Sequence, residues 1–137
     1  MENLLYIIWN DENNFRIPVI DEQHRGIVAA INTFHYFVQK GRGPETVKPA
    51  LSILEQYSAL HFETEEALMA QADYPGFEEH VLLHQDLMKK TKMISQKADP
   101  YGDVDVALRF LKAWWLGHIN SEDRKYAPYI YIINKAG

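Results

Sequence analysis

The groups in this chain best suited to chemistry are its histidines, and their spacing is not that of scattered surface residues. His80 and His84 are four apart, so on a helix both imidazoles project from one face on adjacent turns and can chelate one ion. His61 and Glu65 repeat that spacing. Asp123 follows His118 by five residues, which a regular helix places about 140° round, so it joins the same site only where the helix ends or distorts. Asn120 and Ser121 are poor helix formers and Pro128 follows, so an end is the expectation there.

Four helical stretches position these groups. After Pro18, with Asp21 as the expected N-cap, His24, Ile27, Val28, Ile31, Phe34 and Val38 recur at helical spacing until Gly41-Arg42-Gly43-Pro44. Pro44 and Pro49 suit the opening of a second helix, along which Leu51, Leu54, Tyr57, His61, Glu65 and Leu68 share a face as far as Asp73. From Phe77 a third stripe of His80, His84, Leu87, Thr91 and Ile94 runs to the breaker Asp99-Pro100-Tyr101-Gly102. The fourth begins near Asp103 and carries Val104, Leu108, Leu111, Trp115 and His118. No segment alternates as a strand does, and short connections make neighbouring helices antiparallel. The reading is an all-α, up-down-up-down four-helix bundle with an N-terminal arm, one domain over residues 1–137. The run Tyr129 to Ile133 is left as a short helix or an extended piece packed on the bundle.

Five of the six histidines thus lie on or beside an inward stripe. With a stripe of roughly three positions in seven, independent placement would do this about once in 70 trials. A dry core also resists so many half-satisfied imidazoles, and a shared ligand accounts for all of them. The chain has no cysteine, which excludes disulfides, thiolate zinc sites and iron-sulfur clusters, so a metal must be held by nitrogen and oxygen. Five imidazoles and two carboxylates are too many for one ion that keeps a position open, but they suit two octahedral ions sharing carboxylates. Mixed imidazole and carboxylate donors favour iron, with manganese or zinc as other occupants. A ferritin-like centre would need Glu-x-x-His twice, and the nearest approach is Asp21-x-x-His24.

Composition sets the outer limits. Of 137 residues, 47% are hydrophobic and 24% charged, as in a folded globular chain, and the formal charge of -5 without a basic cluster disfavours nucleic acid. The opening MENLLYIIWN lacks a basic leader region and meets Asn10-Asp11-Glu12 early, so a cytoplasmic protein with no transmembrane segment is expected. A monomer is expected as well.

Together these motifs resemble the hemerythrin family in its stand-alone bacterial form. The resemblance runs from Trp9 and Val19-Ile20-Asp21-Glu22-Gln23-His24, through His61-Phe62-x-x-Glu65-Glu66 and His80-x-x-x-His84, to His118-Ile119-x-x-x-Asp123-x-x-Tyr126. It implies one iron bound by His80, His84 and His118, a second by His24 and His61, and Glu65 and Asp123 bridging them beside an oxo or hydroxo group. The second iron would keep the open position for dioxygen. Reversible dioxygen binding is therefore expected rather than catalysis. The alternative is a redox or detoxification protein that reduces nitric oxide or peroxide, or sequesters iron.

Leu54, Leu68, Leu87, Leu111, Trp114 and Trp115 are expected to keep water from the site, with Tyr126 as a family-like pocket wall. The pair Trp114-Trp115 departs from the family's usual tryptophan-leucine, and an indole one turn before His118 would narrow the dioxygen pocket or its access. His35 is eleven residues from His24, about 16 Å along a helix, and belongs outside the site.

Overall fold

The computed structural model describes residues 5–97 and 104–136. A short 3-10 turn, Asp11–Asn13, precedes helix α1 (Pro18–Gln39), followed by α2 (Gly43–Gln71), α3 (Phe77–Lys97) and α4 (Val104–Trp114). The fourth helix widens into a π-helical segment, Trp115–Glu122, tightens into a 3-10 turn, Asp123–Lys125, and gives way to α5 (Ala127–Ala136). Helix α2 packs against both α1 and α3, and α4 packs against α1 and α2. The result is the expected up-down-up-down bundle, and no strand occurs among the described residues.

Its punctuation follows from backbone chemistry. Gly41, at φ 75°, ends α1 in a left-handed turn closed by bonds from its own N–H to Val38 and from the Arg42 N–H to Phe37. Helix α2 ends in the same way with Asp73 at φ 51°, bonded by its N–H to Ala70, while the Tyr74 N–H reaches Met69. Helix α1 opens earlier than the Asp21 cap implied. Pro18 has its φ preset for the first turn, and the Asp21 carboxylate instead reaches back to accept from the N–H groups of Phe15 (2.6 Å) and Arg16 (3.1 Å). Pro49 lies inside α2 rather than at its opening, on an exposed face where water can satisfy the Glu45 carbonyl left without a donor.

Two apolar clusters fill the bundle. Ile27, Ile31, Phe34, Leu51, Leu54 and Leu111 form the larger. Phe15, Ile17, Ile20, Met69, Tyr126 and Ile130 form the smaller, capped by α5, which settles the tail as a helix across the bundle end. On each contributing element the candidate ligands fall between the two. Ile20 and Ile27 flank His24, Leu54 and Met69 flank His61 and Glu65, and Trp114 and Tyr126 flank His118 and Asp123. The inward phase of α2 is slightly rotated from expectation, burying Ser58 and Met69 and leaving Tyr57 and Leu68 half-buried. That rotation accompanies a close crossing of α1 and α2, where a Cβ on Gly26 would lie 2.4 Å from the Tyr57 hydroxyl.

The N-terminal arm is tied to α1 by Asn32, whose side-chain oxygen accepts from the N–H groups of Tyr6 and Ile7 and whose amide donates to the Ile7 carbonyl.

Candidate metal centre

Seven side chains meet in the polar layer between the clusters: His24 from α1, His61 and Glu65 from α2, His80 and His84 from α3, His118 from the π-helical segment, and Asp123 at the start of the following turn. All are buried, and Glu65 and Asp123 are wholly so. Their ligating atoms form two overlapping groups, each with members within 4.8 Å of one another. One holds His80, His84, His118, Glu65 and Asp123, and the other His24, His61, Glu65 and Asp123. The structure thus brings together every residue that sequence spacing marked for the site. It leaves His35 outside, stacked on Tyr6 with ring centroids 4.7 Å apart.

Asp123 divides its oxygens between the groups. Oδ1 lies 2.9 Å from His80 Nε2 and 3.1 Å from His118 Nε2, while Oδ2 lies 3.3 Å from His24 Nε2 and 3.7 Å from His61 Nε2. Glu65 turns Oε1 to both sides, 2.9 Å from His61 Nε2 and 3.4 Å from His84 Nε2. Short as several of these distances are, the Nε2 atoms of His61, His84 and His118, both Glu65 oxygens and Asp123 Oδ2 complete no hydrogen bond. Buried polar atoms are ordinarily paired, so atoms that converge without pairing are aimed at something between them. A cation fits that donor set of imidazole nitrogen and carboxylate oxygen.

Electrostatics agree. Burial opposes charge on Asp123, yet the imidazoles of His118, His24, His61 and His80 crowded against it hold its carboxyl well below the usual carboxylate range. Glu65 is also lowered: burial and the charge of Asp123 oppose this, and His61 and His84 overcome them. Burial works against a charged His61 too, but Glu65 and Asp123 raise its pKa from 6.5 to about 10, and His80 is raised for the same reasons. Two buried carboxylates therefore demand positive charge, and protons on the imidazoles supply it where a metal ion would.

Aromatic rings wall the site. Phe62 stacks on His84 at 3.9 Å and 10°, and Trp114 meets Phe62 edge-on at 6.1 Å. Tyr126 is fully buried against His80, and burial first, then the charges of Glu65 and Asp123, push its phenol well above the ordinary range. Leu54 and Leu111 are buried as expected, and Leu68 and Leu87 are half-buried. The Trp115 side chain lies outside the described residues.

Two polar neighbours stood in the family-like motifs with no role assigned to them. Gln23 Oε1 sits 2.7 Å from His61 Nδ1, and Glu66 Oε2 sits 3.1 Å from His84 Nδ1. Each partner lies on a different helix from its histidine, so only the packed bundle reveals the pair.

A helical bundle with a buried histidine and carboxylate cluster defines a class, the bundle proteins that bind metal ions between their helices. Residues 16–130 match the hemerythrin HHE cation binding domain, and the chain belongs to the hemerythrin family. It is 30% identical over 125 residues to a bacteriohemerythrin of Stenotrophomonas maltophilia (strain R551-3), spanning 90% of this chain and 81% of that one. Against a hemerythrin subunit of Sipunculus nudus the identity is 36% over 119 residues, 87% and 89% of the two chains. A crystal structure of a hemerythrin mutant superposes with a TM-score of 0.81 over 92% of this chain and 98% of that one, at 24% identity, and so shares the fold. No helix among the described residues is long and apolar enough to cross a membrane.

Proposed function

We propose that the chain binds dioxygen reversibly at a non-haem di-iron centre, serving to carry, store or deliver it. His80, His84 and His118 would hold one iron and His24 and His61 the other, with Glu65 and Asp123 within reach of both. The observation that carries this reading is the division of Asp123, one oxygen toward His80 and His118 and the other toward His24 and His61. One ion gives no reason for such a split. Membership of a cation-binding family whose relatives are named hemerythrin and bacteriohemerythrin supports the same conclusion.

Bound iron would supply the electrons and the Lewis-acid site for taking up dioxygen. The chain's own residues decide how that chemistry is used. Five neutral imidazoles against two carboxylates add little negative charge and favour reduced over high-valent ions, which supports binding rather than oxygen activation. Leu54, Phe62, Leu111, Trp114 and Ile119, buried beside the ligands, exclude water and the protons that would release reduced oxygen species. Tyr126 closes the opposite side with a phenol that keeps its proton.

Stopped-flow mixing of the reduced, iron-loaded protein with dioxygen tests the reading. A spectral change that persists and reverses when oxygen is withdrawn supports it. Rapid turnover, with continuous consumption of oxygen, nitric oxide or peroxide, would assign the centre to a redox or detoxification protein instead.

A further inference from the structure

The hydrogen-bond chain behind His61 fixes its own proton positions. Thr64 Oγ1 lies 2.9 Å from the Leu60 carbonyl, which only accepts, so the hydroxyl proton is committed there. Toward Gln23, at 3.1 Å, the Thr64 oxygen must then accept, and Gln23 must present its NH2. The Gln23 carbonyl is left facing His61 Nδ1 at 2.7 Å. A carbonyl cannot donate, so His61 must keep a proton on Nδ1, and Nε2, turned toward the cluster 2.9 Å from Glu65 Oε1, is the nitrogen left for a metal ion. His84 is set in the same tautomer by Glu66, with Nε2 inward. The two partners differ in charge: an amide behind His61, a carboxylate behind His84. Glu66 borders an open groove of about 630 Å³ lined also by Phe62, Met88 and Lys92, so its side chain is 32% exposed and its charge is screened but not removed.

We propose that Gln23, backed by Thr64, is a positioning residue that locks His61 for metal binding, and that the neutral Gln23 and anionic Glu66 make the two metal positions electronically unequal. The inference rests on the di-iron reading above. A histidine donating to a carboxylate becomes the more basic ligand and better stabilises the more positive ion, so the position served by His84 favours the ferric state. The position served by His61, with its neutral partner, is the one more readily kept ferrous.

The test is a titration of the metal-free full-length chain with cobalt(II), followed by absorption, alongside the midpoint potential of the iron-loaded protein. Gln23→Leu should weaken one of two cobalt equivalents by about 10–100-fold. Thr64→Val, nearly isosteric and not itself a candidate ligand, should weaken the same equivalent by less, and Gln23→Glu should restore it. Gln23→Glu should lower the midpoint potential and Glu66→Gln should raise it, a pattern that loss of packing alone would not produce. Cobalt affinities within about twofold of wild type in both Gln23→Leu and Thr64→Val would overturn the positioning role. Potentials unmoved in Gln23→Glu and Glu66→Gln would overturn the inequality. A wild-type chain that takes up fewer than two equivalents would overturn the dinuclear reading itself, and this inference with it.

Discussion

The backbone N–H of Asp123 bonds to the carbonyl of His118, five residues earlier, and that one wide turn brings the carboxylate to 3.1 Å from the imidazole Nε2. In a regular α-helix the two would diverge by about 140°. The π-helical segment Trp115–Glu122 removes the divergence, as one-residue expansions at functional sites do. The expected helix end is thus replaced by a widened helix.

This register can be tested directly. Deleting Ser121, which is exposed, leaves His118 and Asp123 four apart, the spacing at which an ordinary α-turn puts both on one face, and should keep iron bound. An alanine inserted between Asn120 and Ser121 sets them six apart, a spacing that places them on one face of neither helix type, and should lose iron from both positions. Metal analysis of the two purified variants decides the point.

Because the ligands come from every part of the bundle, bound metal should act as a cross-link. An ion present at 100 times its dissociation constant adds about 2.7 kcal/mol. At roughly 2–4 °C per kcal/mol, His118→Ala or Glu65→Ala should lower the melting temperature by roughly 5–10 °C along with iron content. His35→Ala should keep its iron, since that ring stacks on Tyr6 away from the site. Thermal melts paired with metal analysis check both statements.

Without metal, stability should depend on pH in a defined direction. His61 is raised from 6.5 to about 10, so its contribution is complete below pH 6.5 and is lost as pH climbs toward 10. The carboxyls of Glu65 and Asp123 are lowered, so theirs is present above the ordinary carboxylate range and is lost in acid, as pH falls through their depressed values. Denaturant titrations of the metal-free protein should show greatest stability near pH 5–6 and a decline from about pH 6.5 to 10. A flat or rising profile across that upper range would contradict the cluster's electrostatics.

Phe62 separates His84 from Trp114 and borders the groove between α2 and α3. Phe62→Ala should cost about 3–5 kcal/mol, as large-to-small core changes do. It should also speed oxidation of the reduced protein in air by admitting water and protons. Phe62→Leu should keep most of the stability, and autoxidation followed by absorbance separates the two variants.

Much of this was legible in the sequence because period and punctuation act locally. The stripes of α1 to α4, the Gly41 break and the His80-His84 pair each depend on residues a few positions apart, as does the grouping of five inward histidines. What was not legible depends on the assembled bundle. Nothing in Gln23 announces that it will meet His61, 38 positions on, because only the crossing of α1 and α2 creates that contact. The π-helical widening after Trp114 has no side-chain signature of its own, and the need for it appeared only as a misfit between His118 and Asp123. Pro49 misled in the opposite sense, since an exposed helix face tolerates the missing bond that a buried one would not.

The central claim is two irons that take up dioxygen and give it back. The most direct measurement loads the protein with iron, reduces it without air, and titrates it with dioxygen while iron per chain and free oxygen are followed together. The expected result is about two irons per chain and one dioxygen taken up per iron pair, recovered on purging with inert gas over repeated cycles. One ion per chain, or oxygen consumed without being returned, would contradict it.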